Sequence, residues 1–133
     1  MRFVFVGERP SPLAHERGAT WQNGRHAGRT LREALLAAGH DPEAQLYFNL
    51  WDGPEKTETD QLHKEAIVKC LWELARVGCI VVGMGDLVCR VLRKRELPHV
   101  QMIHPAARGR IRRRDVYQAH VRETLEAIHA QAA

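Results

Sequence analysis

Cysteine is scarce in this chain of 133 residues, and none of it is paired by spacing. Cys70, Cys79 and Cys89 form no CxxC pair. An odd number at loose spacing argues against a disulfide framework and for a reducing compartment. A zinc or iron–sulfur site would need a fourth ligand and closer spacing, so the cysteines read as small buried hydrophobes. Long apolar runs are absent too. Nothing approaches the ~20 residues of a spanning helix, so no membrane segment is expected. The opening stretch Met1–Val6 is too short an apolar run for a signal peptide and has no cleavage pattern, and the expected location is the cytoplasm. Neither a GxGxxG fingerprint nor a GxxxxGK[ST] loop is present, which removes support for dinucleotide or P-loop binding.

Acidic residues are missing from one long span. From Arg90 to Arg114 the only acid is Glu96, against Arg90, Arg93, Lys94, Arg95, Arg108, Arg110, Arg112, Arg113 and Arg114. The net charge of +4 is mild, but this clustering makes a one-sided positive field, which favours a polyanion such as nucleic acid. The alternative is a solvated surface that aids solubility. The remaining composition, 44% hydrophobic and 27% charged, is ordinary for a globular chain and fits one domain over residues 1–133.

Strand and helix patterns alternate. Phe3-Val4-Phe5-Val6 reads as a buried parallel strand ended by Gly7. Gly7 to Pro12 reads as a turn rather than a helix start, and Leu13 to Ala27 as a long loop. Thr30 to Ala38 is helical, with Leu31, Ala34, Leu35 and Ala38 on one face and Gly39 as its stop. A strand follows over 46–51. The longest helix spans 59–77, with Leu62, Ala66, Lys69/Cys70 and Glu73/Leu74 giving it a mixed amphipathic face and Gly78 as its stop. Residues 79–83 and 99–103 are strands, with a helix over 86–95 between them. A last helix runs from Arg114, with Val116, Ala119, Val121, Leu125 and Ile128 as its apolar residues. This order predicts an α/β three-layer sandwich with a mostly parallel, four-stranded central sheet flanked by helices.

Ligands of such folds bind at the carboxyl ends of the strands. Four turns converge there: Gly7 to Pro12, Asn49 with Trp51, Gly83 to Asp86, and His104 to Ala107. The Gly83 to Asp86 turn reads as a tight strand-to-helix connection with Asp86 as N-cap. Glu8, Asn49 and His104 offer a carboxylate, a carboxamide and an imidazole to one crevice. Each also has a plainer reading: a turn-capping carboxylate, a strand-end amide satisfying backbone, a polar surface histidine. Trp51 and Trp72 read as packing rather than as stacking platforms.

The ordered set of motifs resembles the uracil-DNA glycosylase superfamily, most nearly its thermophile-type family 4. Gly7-Glu8-Arg9-Pro10-Ser11 stands where those proteins carry Gly-Glu-Ala-Pro-Gly. Gly18-Ala19-Thr20-Trp21 matches a Gly-x-x-Phe segment, and Gly28-Arg29-Thr30-Leu31 a glycine-opened helix. Asn49 ends the next strand, Val81-Val82-Gly83 leads into a helix, and His104-Pro105-Ala106 matches the last motif. The resemblance runs from residue 3 to about residue 125. It implies a DNA glycosylase fold and a monofunctional hydrolase of base excision repair. Such an enzyme cuts the N-glycosidic bond of uracil or another modified or damaged base flipped into a pocket.

It also implies roles. Glu8 would stabilise the cationic sugar and orient water, and His104 would donate to the departing base. Gly7, Pro10, Ser11, Trp21 and Asn49 would bind the base, Trp21 by stacking and Asn49 by reading its edge. Arg108, Arg110, Arg112, Arg113 and Arg114 would hold DNA phosphates, single- or double-stranded. The family 4 cluster needs four cysteines, so no cofactor and no metal are expected here. A monomer is expected. Arg9, Ser11 and Trp21 depart from the motif residues, and they leave a catalytically silent nucleic-acid or nucleotide-binding relative as the alternative.

Overall fold

The computed structural model describes residues 2–53 and 58–132. Four strands, β1 (Phe3–Gly7), β2 (Leu46–Asn49), β3 (Ile80–Met84) and β4 (Val100–Met102), form one sheet in the order β2-β1-β3-β4. All three pairings are parallel. Among the described residues five α-helices accompany them: α1 (Pro12–Glu16), α2 (Ala27–Ala37), α3 (Glu58–Arg76), α4 (Asp86–Lys94) and α5 (Arg114–Ala132).

β1 is buried at every position because both faces of the sheet are covered. Its alternate side chains separate the two layers. Phe3 and Phe5 join Leu31, Ala34 and Leu35 of α2 and Tyr117, Val121 and Leu125 of α5. Val4 and Val6 join Val68 and Leu71 of α3 and Val88 and Leu92 of α4. The three-layer expectation therefore holds, with α2 and α5 on one side and α3 and α4 on the other. Gly83 shows how closely α4 sits on the sheet. A Cβ there would lie 2.7 Å from Cys89 Sγ, and the Cys89 thiol donates to the Gly83 carbonyl at 3.4 Å.

Several local expectations are corrected. The segment read as turn and loop contains α1, which starts at Pro12 with Ser11 as its N-cap. Proline at the first helical position loses no hydrogen bond, so the same residue that argues for a turn also opens a helix. α2 begins at Ala27, three residues before the expected start, and β2 ends at Asn49 rather than Trp51. The buried face of α3 is rotated: Val68 and Leu71 are buried, whereas Leu62 is 73% exposed. Gly85 (φ 98°), not Asp86, occupies the cap position of α4. The Asp86 carboxylate instead accepts from Gln101 Nε2 at 2.8 Å, tying α4 to β4.

The chain passes from β1 outward to β2, then returns across β1 to β3. That reversal places the topological switch between β1 and β3, where open α/β sheets hold their ligands.

Candidate functional site

A cavity of about 760 Å³ opens at the carboxyl ends of the strands. This is the size of a small-molecule or nucleotide site. Glu8, Trp21, Asn49 and His104 all line it, together with Pro10 and Ser11. Four segments far apart in the chain supply these groups, and the parallel sheet brings their ends together.

The approach starts at Gly7, which is paired with Asn49 in the β1–β2 register. A Cβ at Gly7 would lie 2.7 Å from Asn49 Oδ1 and 2.9 Å from Trp21 Cζ2. Only glycine lets both side chains close over the strand end. Gly7 thus shapes the cavity from beneath without lining it. The ladder continues past the strands: Leu50 N–H donates to the Gly7 carbonyl and Trp51 N–H to the Glu8 carbonyl, each at 3.0 Å. Glu8 is therefore carried on hydrogen-bonded backbone, with its half-buried side chain at the cavity wall. Ser11 spends its hydroxyl on capping α1, accepting from Ala14 N–H at 3.1 Å.

Trp21 is held by the rest of its loop. Thr20 and Asn23 exchange two hydrogen bonds of 3.0 Å each, backbone N–H to side-chain oxygen in both directions. Asn23 Nδ2 donates to the Gly18 carbonyl at 2.7 Å, and Gln22 Nε2 to the Tyr47 carbonyl at 3.1 Å. At the start of α2, Gly28 packs so closely that a Cβ there would lie 2.8 Å from the Thr20 carbonyl oxygen. The Trp21 indole N–H donates to Asn49 Oδ1 at 2.8 Å. An indole nitrogen is only a donor, so chemistry fixes which way the Asn49 amide points. Its oxygen is engaged and its NH₂ group is the donor left for a ligand. Trp21 also meets the His104 ring edge-on, with centroids 5.6 Å apart.

His104 follows β4 and precedes the buried Pro105. Its Nδ1 accepts from Ala106 N–H at 2.9 Å, so the neutral ring carries its proton on Nε2. Burial pushes its pKa below the ordinary histidine value. The ring is thus kept as a neutral donor at neutral pH, the state suited to stabilising a growing negative charge.

Arg9 also lines the cavity, but its guanidinium is engaged on the side of α3. Its guanidinium lies 4.8 Å from the centre of the Trp51 ring and hydrogen-bonds the Gly53 carbonyl at 3.3 Å. It also reaches Asp60 of α3 at 3.5 Å. Its Nη2 is buried with no hydrogen-bond partner among the described residues. Arg9 thus acts as a fastener between the β1 turn and α3. Trp51 packs against the second core cluster, and Trp72 is 37% exposed on α3.

The arginine loop divides. Arg112 lines the cavity. Arg108 and Arg110 are exposed outside it. Arg113 pairs with Asp115 and Arg114 with Glu33, both at 3.5 Å. Sequence reasoning missed Arg25 and His26, which line the same cavity at the entry to α2. The available signal was the Asn23-Gly24 turn before a helix, where His26 takes φ 53°. The Gly83 to Asp86 turn does not line the cavity. Among the described residues no group of three or more His, Cys, Asp or Glu side chains is placed to hold a metal ion. All three cysteines are free thiols.

No family model matches the chain, and no curated protein matches it.

Proposed function

We propose that this protein is a DNA glycosylase that hydrolyses the N-glycosidic bond of uracil or another modified or damaged base. The target base would be flipped into the cavity at the strand ends. The observation that carries this reading is the convergence of Glu8, Trp21, Asn49 and His104 on one cavity of about 760 Å³. It is supported by the ordered resemblance of the motifs to the uracil-DNA glycosylase superfamily and by the basic wall of Arg25 and Arg112.

The chemistry divides among these groups. Bond cleavage leaves a cationic sugar and an anionic base. The Glu8 carboxylate stabilises the cation and orients the attacking water. The Nε2–H of neutral His104 donates to an oxygen of the departing base as charge grows there. The Asn49 amide nitrogen donates to a base carbonyl, and Trp21 forms the aromatic wall. Arg25 and Arg112 hold flanking phosphates and help to offset the few kcal/mol that base extrusion costs.

One observation favours the second reading, a silent nucleic-acid or nucleotide-binding relative. The Asn49 oxygen is already taken by Trp21, which narrows the edge that Asn49 can read. A glycosylase assay separates the two. Labelled oligonucleotides carrying uracil, hypoxanthine, xanthine or 5-substituted pyrimidines are incubated with protein and then with alkali. Cleavage at one base, lost in Glu8→Gln and His104→Ala, is expected. Salt-sensitive binding without cleavage would leave the silent relative.

A further inference from the structure

We propose that Tyr117 and His120 are positioning residues that aim the His104 imidazole by gripping the backbone of Ile103. This inference rests on the reading of His104 as the donor to the leaving base.

The grip starts where the sheet ends. β4 is an edge strand of three residues, and its last pair with β3 is Met84 with Met102. Gly85 N–H still donates to the Met102 carbonyl at 2.9 Å, and there the ladder stops. Ile103 lies between the ladder and His104. Two side chains of α5 bind its main chain instead. The Ile103 N–H donates to His120 Nε2 at 3.0 Å. The Tyr117 hydroxyl donates to the Ile103 carbonyl at 2.9 Å. Tyr117 is 2% exposed, so its ring is rooted in the core and only its hydroxyl reaches the strand end.

Ile103 as a residue is 38% exposed. The contact with α5 therefore serves its peptide groups. Those groups set the direction in which the next residue leaves the sheet. Beyond it, the Ala106 N–H to Nδ1 bond and the edge of Trp21 fix the ring itself. His120 Nε2 accepts, so that ring carries its proton on Nδ1. The Tyr117 ring faces it at 6.1 Å, and Glu123 is the neighbouring charge that acts on it. Both grips come from one helix, three residues apart, so α5 acts as a rigid bracket. A donor displaced by about 1 Å can cost roughly a hundredfold in rate.

The test uses Tyr117→Phe, His120→Ala and His120→Gln in the full chain. Two readouts are taken: single-turnover base release from the oligonucleotide substrate, and the imidazole ¹⁵N signals of His104. Tyr117→Phe and His120→Ala are expected to slow base release at least tenfold with substrate affinity within about twofold. His120→Gln, whose amide oxygen can take the Ile103 N–H, restores the rate to within about threefold. In native protein and His120→Gln the His104 signals show a single Nε2–H tautomer. In the other two variants the two nitrogens move toward each other as the ring averages. Unchanged His104 signals in folded Tyr117→Phe and His120→Ala would overturn the proposal. If His120→Ala does not fold, Tyr117→Phe decides alone. If native protein releases no base, the glycosylase reading fails, and the His104 signals still decide the bracket.

Discussion

The indole nitrogen of Trp21 donates to the side-chain oxygen of Asn49 at 2.8 Å, joining two cavity-lining residues 28 positions apart. One belongs to a loop and the other to the end of β2, so the bond ties the loop to the sheet. It fixes the direction of the Asn49 amide and the tilt of the Trp21 ring together.

The energetic worth of that link is measurable. Trp21→Phe should cost about 1 kcal/mol, a lost hydrogen bond with most of the ring retained. Asn49→Leu should cost about 1–3 kcal/mol because it strands the half-buried indole N–H. The double variant should cost less than the sum, with a coupling of at least about 0.5 kcal/mol in denaturant unfolding. Strict additivity would mean that the bond contributes nothing in solution.

Gly7→Ala tests the floor beneath the pair. The new methyl would lie 2.7 Å from Asn49 Oδ1 and 2.9 Å from Trp21 Cζ2, so one of them must move. Overpacking of this kind costs about 1–3 kcal/mol. The expected outcome is a folded, destabilised protein whose ligand binding or base release falls more than its stability explains. Denaturant midpoints and DNA titrations on the same preparation check it.

Acid should weaken the fold through histidine. His40, His104 and His120 all have pKa values lowered by burial, and the nearby His129 adds to the effect on His40. The unfolded chain therefore takes up these protons at a higher pH than the native protein does. Stability is fully present above the ordinary histidine value of about 6.5 and is lost as pH falls through the lower native values. Thermal midpoints between pH 7.5 and 5 should drop, and His40→Gln should flatten part of that slope. A flat native profile would contradict the burial argument.

The arginines should separate by position. Arg25→Ala and Arg112→Ala should each weaken binding across DNA sequences and reduce the salt slope of log K by about 1. Arg113→Ala and Arg114→Ala remove groups paired with Asp115 and Glu33, and should change that slope much less. Fluorescence titrations at several salt concentrations decide between them.

The sheet was readable because its signal is local. Phe3-Val4-Phe5-Val6 is apolar at every position, and every one of those positions is buried between two helical layers. Strand ends carry a local signal too: Glu8, Asn49 and His104 at three of them line one cavity, whereas the Gly83 to Asp86 turn at the fourth does not. Periodicity does not report where a loop travels, so Arg25 and His26 went unseen. Proline carries two meanings, and Pro12 after Ser11 opened α1 instead of a turn. Helical spacing admits Leu62 to the mixed face of α3, yet Leu62 is exposed and the sheet packs on Val68 and Leu71. The grip on Ile103 has no sequence signal. Tyr117 and His120 become meaningful only when α5 lies beside an edge strand that has run out of partners.

Abasic-site formation by native protein and by Glu8→Gln, on oligonucleotides differing in one base, tests the central claim most directly. The account predicts alkali-labile cleavage at uracil or another modified base, falling at least a hundredfold in Glu8→Gln while DNA binding is retained. Equal cleavage by both proteins, or none by the native one, would contradict it.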